Sequence, residues 1–320
     1  MELRKTRFKR NTVIHIYQNT INGGLIFYST EDFLVFFSIF SILSLKYKVH
    51  VLGLCLMIDH IHVLLTADSY EIMRDFVKEY TRLYSKAFNT DINRKGKLFN
   101  SPFGFSCKKY DKNVRTAIAY LYNNPVEKQL TVRALDYKWN FLAYGREEYP
   151  FSEKIILRNS SWALRKAVEE IRYVCSKREP LNYVLLRRVM EKLGKDEKDS
   201  LVDYIITLYN SIDYSKCVSY YGDFDKMIMA IDSNTGSEYD IKEDKSVKTD
   251  VPYRDILRQV RENGFSENVK KVIMLNSEDK IKLIGGLQYM KDTTSYHIYK
   301  YFHIPMRDDK KEEIIEWNSI

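Results

Sequence analysis

Two short segments hold residues whose types and spacing could do chemistry. The first is Asp59-His60-Ile61-His62-Val63-Leu64-Leu65. In a strand, alternate residues share a face, so His60 and His62 point together while Ile61, Val63 and Leu65 turn toward a core. Two adjacent imidazoles can share one divalent cation. Two half-exposed sheet histidines would be spelled the same way, but the apolar flanks set these rings beside a core, where polar groups need a reason to be. The second segment is Ala119-Tyr120-Leu121-Tyr122-Asn123-Asn124-Pro125. Tyr120 and Asn124 are one turn apart on one helix face. A phenol can attack phosphorus and keep the bond energy in a phosphotyrosine for rejoining. Its ordinary pKa of about 10 makes it a poor nucleophile, which a metal that polarises the phosphate would offset. The Asn124 amide oxygen suits Mg²⁺ or Mn²⁺. The same residues also read as a packed tyrosine and a helix C-cap. Tyr122 lies about 200° around the helix from Tyr120, and Tyr110 reads as a strand-end packing residue, so Tyr120 is the expected nucleophile. His15, His50, His297 and His303 lack partner spacing and read as surface or packing histidines.

Positioning these groups needs a sheet and a helix. Val13 to Asn19 alternates as a strand, Asn22-Gly23-Gly24 supplies a turn, and Leu25 to Tyr28 reads as a second short extended piece. Ser29 with Asp32 resembles a capping box opening an apolar helix to about Lys46. Strands at Val49–Met57 and His60–Thr66, separated by Ile58-Asp59, read as a tight hairpin. Asp68 and Glu71 could cap a helix over Tyr70–Phe88. A short strand near Phe105–Lys109 precedes a helix from Asn113 to Asn123, expected to stop at Asn124-Pro125 because the residue before proline resists helical dihedrals. The order strand, helix, hairpin, helix, strand, helix predicts an α+β fold: a ferredoxin-like antiparallel sheet with flanking helices, followed by a mostly helical C-terminal region. Three parts are expected: a catalytic domain over 1–148, a helical region over 149–250 ending in a polar linker from Asp232 to Asp250, and a small helical domain over 251–320. Helices are expected at Ser161–Ser176, Leu181–Leu193 and Asp199–Tyr209. Thr294–Phe302, a break at His303-Ile304-Pro305, and Met306–Trp317 could form a helix-turn-helix.

Composition bounds the classes. With 320 residues, 45% apolar and 29% charged, the chain has ample material for a core. A net charge of +8 favours an anionic partner without requiring one. Cys55, Cys107, Cys175 and Cys217 form no CxxC pair, which argues against a disulfide framework or zinc knuckle and for a reducing, cytoplasmic setting. The greasiest run, Phe33–Leu45, is too short for a bilayer span and carries three serines, so no membrane association is expected.

Taken together, the two motifs carry a resemblance. The chain resembles the HUH single-tyrosine transposases (IS200-like), and among them the REP-associated tyrosine transposases. The family's His-hydrophobic-His strand is matched by His60-Ile61-His62-Val63-Leu64-Leu65, and its Tyr-Ile-x-x-Asn-Pro helix by Tyr120-Leu121-Tyr122-Asn123-Asn124-Pro125, with leucine for isoleucine. The opening strand with its Asn-Gly-Gly, from His15 to Phe27, also fits, as does Arg94-Lys95-Gly96-Lys97-Leu98-Phe99. The resemblance covers residues 10 to 145. It implies a divalent metal, Mg²⁺ or Mn²⁺, held by His60, His62 and Asn124. It also implies a Tyr120 attack on a single DNA strand beside a hairpin, leaving a 5′-phosphotyrosyl link and a free 3′-hydroxyl. The expected enzyme is thus a nicking and strand-transfer enzyme on single-stranded or hairpin DNA, monomeric or homodimeric, and nucleoid-associated when DNA-bound.

Basic groups near these motifs could hold phosphates: Arg7, Lys9 and Arg10 at the start, Arg94, Lys95 and Lys97 in the loop, and Lys108 with Lys109 before the catalytic helix. Residues after about 150 are expected to add DNA affinity rather than chemistry. Two other classes compete. A catalytically silent, domesticated transposase acting as a DNA-binding regulator would not need the four site residues together. A structural zinc protein would carry cysteine clusters.

Overall fold

The computed structural model describes residues 8–233, 249–287, 290 and 292–305. Its centre is a four-stranded antiparallel sheet of β1 (Val13–Asn19), β2 (His50–Leu56), β3 (His60–Thr66) and β4 (Gly104–Lys108), in the order β2-β3-β1-β4. This is the ferredoxin-like arrangement expected from the element order. The pairing opposes His62 to Tyr17 and Cys55, His60 to Asn19, and Lys108 to Val13. Directly opposed residues share a face, so His60, His62, His15, Tyr17, Ser106 and Lys108 all lie on one side. Tyr17 crosses Gly104 so closely that a Cβ there would sit 1.9 Å from its ring, which fixes glycine at that register position.

The other face packs α1 (Thr30–Tyr47) and α2 (Tyr70–Asp91), with Ile61, Val63 and Leu65 in that core. The α1 capping box forms as the sequence suggests: Asp32 Oδ2 accepts from the backbone N–H groups of Tyr28 and Ser29 at 2.8 and 2.9 Å. From Phe33 to Phe40 the helix is buried all round, which suits a segment apolar all round. The cap of α2 is Ser69, whose hydroxyl accepts from Ile72 N–H, rather than Asp68 or Glu71. Leu25 to Tyr28 is buried but pairs in no strand; the N–H groups of Ile26 and Phe27 donate instead to Ile58 O.

The site face is covered by α3 (Asp111–Glu127). It does not stop at Asn124. It runs through Pro125 for most of another turn, because this stretch from Val114 to Pro125 is largely buried and its packing outweighs the local bias against a pre-proline helical residue. Helices α4 (Trp162–Ser176), α5 (Tyr183–Glu191) and α6 (Lys195–Tyr209) follow as expected, within a few residues at their ends. Then come α7 (Tyr214–Ser219) and α8 (Phe224–Ser233), two short helices the sequence patterning did not separate. Side chains of α7 and α8 join the α3 cluster. Most of the Asp232–Asp250 stretch, residues 234–248, lies outside the described residues.

The last part contributes α9 (Pro252–Val260), α10 (Ser277–Leu287) and α11 (Ser295–Tyr301). The second half of the possible helix-turn-helix, Met306–Trp317, lies outside the described residues. Ile256, Val272 and Ile298 share one apolar cluster with α1 and α2. Beneath it is a buried ionic knot: Lys270 Nζ lies 2.6 Å from Asp32 Oδ1 and 2.8 Å from Asp91 Oδ2, with the Tyr183 ring 3.7 Å away. No described helix is long and apolar enough to cross a membrane.

Candidate active site

β3 places His60 and His62 on its α3-facing side, with ring centroids 5.0 Å apart. Each ring has Nδ1 engaged inside the protein. His60 Nδ1 is 2.6 Å from Asp59 Oδ1, and His62 Nδ1 is 3.1 Å from His15 Nε2. With the proton on Nδ1, the nitrogen each ring offers a cation is Nε2, which is how metal-binding imidazoles are usually oriented. The donor set therefore fits a divalent metal. Among the described residues no three His, Cys, Asp or Glu side chains converge as a cage, so Asn124 or substrate oxygens would have to complete the shell. Asn124 is buried on α3, and its amide nitrogen donates back to Tyr120 O at 3.4 Å, so the amide oxygen is the atom it could offer a cation.

Tyr120 lies edge-on to His62 and His15. Its ring centroid is 5.6 Å from that of His62 and 5.9 Å from that of His15. With only 3% of its surface exposed, it is enclosed between α3 and the sheet. Tyr122 points elsewhere, into the apolar cluster under α3, where burial drives its hydroxyl well above the ordinary phenol pKa. Tyr110 is not a packing residue: it is 70% exposed at the start of α3.

Three groups at the site escape sequence reasoning. His15 is fully buried against His62, although nothing in its own neighbourhood marks it; only the β1–β3 register reveals the pair. Asp59 precedes the motif and reads as a turn residue, yet it orients His60. Lys300, in α11, lies 2.6 Å from Asp59 Oδ2. Burial pushes the Asp59 carboxyl upward, but Lys300 and His60 outweigh it and hold it well below the usual carboxylate range. Burial works against the Lys300 ammonium, and Asp59 raises it nonetheless.

The expected DNA contacts divide. Arg7 lies outside the described residues. Lys9, Arg10, Lys95, Lys97 and Lys109 are exposed, and Lys109 draws the Lys9 pKa down as a neighbouring cation. The Arg94 guanidinium is tied into its own loop, donating to Asn89 Oδ1 at 2.9 Å and to the carbonyls of Gly96 and Lys97. Lys108 is buried on the site face, with Nζ 3.1 Å from Ser106 Oγ.

Comparisons with known proteins add to this geometry. No curated protein matches the chain. Among solved structures, the chain is similar to a REP-associated tyrosine transposase bound to a REP hairpin, at 14% identity and a TM-score of 0.37, over 45% of this chain and 85% of that one. Residues 26–124, a segment that holds His60, His62, Tyr120 and Asn124, match the family model described as Transposase IS200 like.

Proposed function

We propose that the protein is a metal-dependent single-strand DNA endonuclease and strand transferase, with Tyr120 as nucleophile. The observation that carries this reading is the edge-on contact of Tyr120 with His62, beside His60, with the Nδ1 atoms of both histidines engaged. The IS200-like match over the same residues supports it. His60, His62 and Asn124 would hold Mg²⁺ or Mn²⁺, which when bound polarises the scissile phosphate. Tyr120 Oη forms a bond to phosphorus as the bond from phosphorus to the 3′ oxygen breaks. The phenol proton is balanced by the proton the departing oxygen takes up, giving a 5′-phosphotyrosyl link and a 3′-hydroxyl. Reversal with another 3′-hydroxyl rejoins the strand. Lys108 shares the sheet face with His15 and His62 and could meet a phosphate of a strand bound there. The preferred substrate is single-stranded DNA beside a hairpin, reached by exposed Lys95, Lys97 and Lys109.

The test is covalent capture. Hairpin-bearing single strands with Mn²⁺ should give a protein–DNA adduct whose nucleotide maps to Tyr120 by tandem mass spectrometry. Tyr120→Phe should abolish the adduct, and Tyr122→Phe should leave it. An adduct on Tyr122 or Tyr110, or none with any single strand, would overturn the mechanism.

A further inference from the structure

A cavity of about 310 Å³ lies between the Leu25–Phe33 segment and α9, beside the Asp59 end of the active site. Its wall is a pile of flat rings. Phe27 stacks on Phe33 at 4.5 Å, and Phe33 stacks on Trp139 at 4.3 Å with only 5° between planes. The polar groups divide into two kinds. Tyr28 and Tyr137 hydroxyls donate to backbone carbonyls of Tyr301 and Leu56, at 2.6 and 2.9 Å. Asp250 Oδ2 and the hydroxyls of Tyr253 and Tyr301 are buried with no hydrogen-bond partner among the described residues. These three residues are 4%, 5% and 1% exposed. Buried polar atoms left unpaired cost about 1–3 kcal/mol each, so three on residues that line one cavity are expected to have a use. Arg254 and Arg261 add positive charge to the lining.

We propose that this cavity binds a single guanine base. A flat heteroaromatic ring suits the stacked wall. Guanine carries N–H donors for the Asp250 carboxylate and N7 and O6 acceptors for two phenol donors. Burial raises the Asp250 carboxyl to about 6, aided by the charge of Asp59, and an N–H donor would return it to the ionised form. Asp250 itself is held in place: its N–H donates to Lys128 O at 3.1 Å and its carbonyl accepts from Tyr253 N–H at 3.2 Å. Asp250, Tyr253 and Tyr301 lie outside the segment that matches the transposase family. The base could arrive as a free nucleoside or as an unpaired nucleotide of a strand, whose phosphates the two arginines would favour.

The experiment is binding by the full chain in chelator, where no cleavage can occur, so its outcome is separate from that of the nicking mechanism. Guanosine and adenosine are titrated calorimetrically, and in parallel a short single strand with one guanine is compared with the same strand abasic at that position. Saturable guanosine binding, about tenfold weaker in Tyr253→Phe and in Tyr301→Phe, supports the site with a free ligand. An abasic penalty of about tenfold that disappears in the same variants supports it with a strand base. Asp250→Asn should erase the preference for guanosine over adenosine. Each Tyr→Phe change removes one oxygen that has no partner in the fold, so folded variants are expected, and circular dichroism checks this. If neither guanosine nor the strand distinguishes the wild type from any variant, the cavity holds only solvent and the assignment is wrong.

Discussion

His60 reaches the far end of the chain through one carboxylate. Asp59 holds His60 Nδ1 at 2.6 Å and Lys300 Nζ at 2.6 Å, so the imidazole is oriented by a group that a lysine in turn orients. Groups in this outer position typically change metal affinity about 10–100-fold. Lys300→Met should therefore weaken Mn²⁺ binding by about tenfold, read by electron paramagnetic resonance of free Mn²⁺ without any DNA. Because the substitution leaves the buried Asp59 carboxylate without its lysine, Asp59→Asn with Lys300→Met serves as the charge-neutral control. Wild-type affinity in both would remove Lys300 from the site. His62→Ala should abolish adduct formation while leaving hairpin binding, measured by gel shift, within about threefold, since one lost imidazole takes away few DNA contacts.

Among the elements, α1 and its ionic partner join early and late sequence. Lys270 lies against Asp32 at the start of α1 and Asp91 at the end of α2. Lys270→Met leaves the buried Asp32 carboxylate without its cation, while Asp91 keeps Arg187 at 2.7 Å, and should lower unfolding stability by about 3–5 kcal/mol, measured in urea. The alternation of β1 and β3, the capping box of α1 and the length of α2 were legible because each follows from local periodicity or local hydrogen bonding. So were the shared strand face of His60 and His62 and the helix face of Tyr120. The continuation of α3 through Pro125 was not, because it depends on what the helix packs against. The pairing of His15 with His62 depends on a strand register that neither strand encodes alone. Lys108 and Lys109 both read as phosphate contacts, yet Lys108 is buried at the end of β4 and Lys109, just beyond it, is exposed.

For the whole molecule, the late helices lie close against the sheet's surroundings. Tyr28 donates to Tyr301 O, and His303 Nε2 lies 2.7 Å from Leu25 O. Burial lowers the His303 pKa from its ordinary value to about 4, the Leu25 carbonyl opposing it. A histidine buried neutral binds its proton more readily when unfolded, so its contribution is intact above about 6.5 and declines as pH falls from there toward about 4. His303→Gln, which keeps a donor for Leu25, should flatten that part of the stability profile, followed by thermal melts across the window. An unchanged slope would mean His303 is not the titrating group. The Lys300–Asp59 contact also has a meaning in time. The two partners are 241 residues apart, so on the ribosome the histidines emerge long before the cation that steadies one of them. A nascent chain would carry the tyrosine and its histidine pair without the finished arrangement. A chain interrupted before Lys300 would keep every residue of the two motifs while losing the cation that steadies the Asp59 carboxylate.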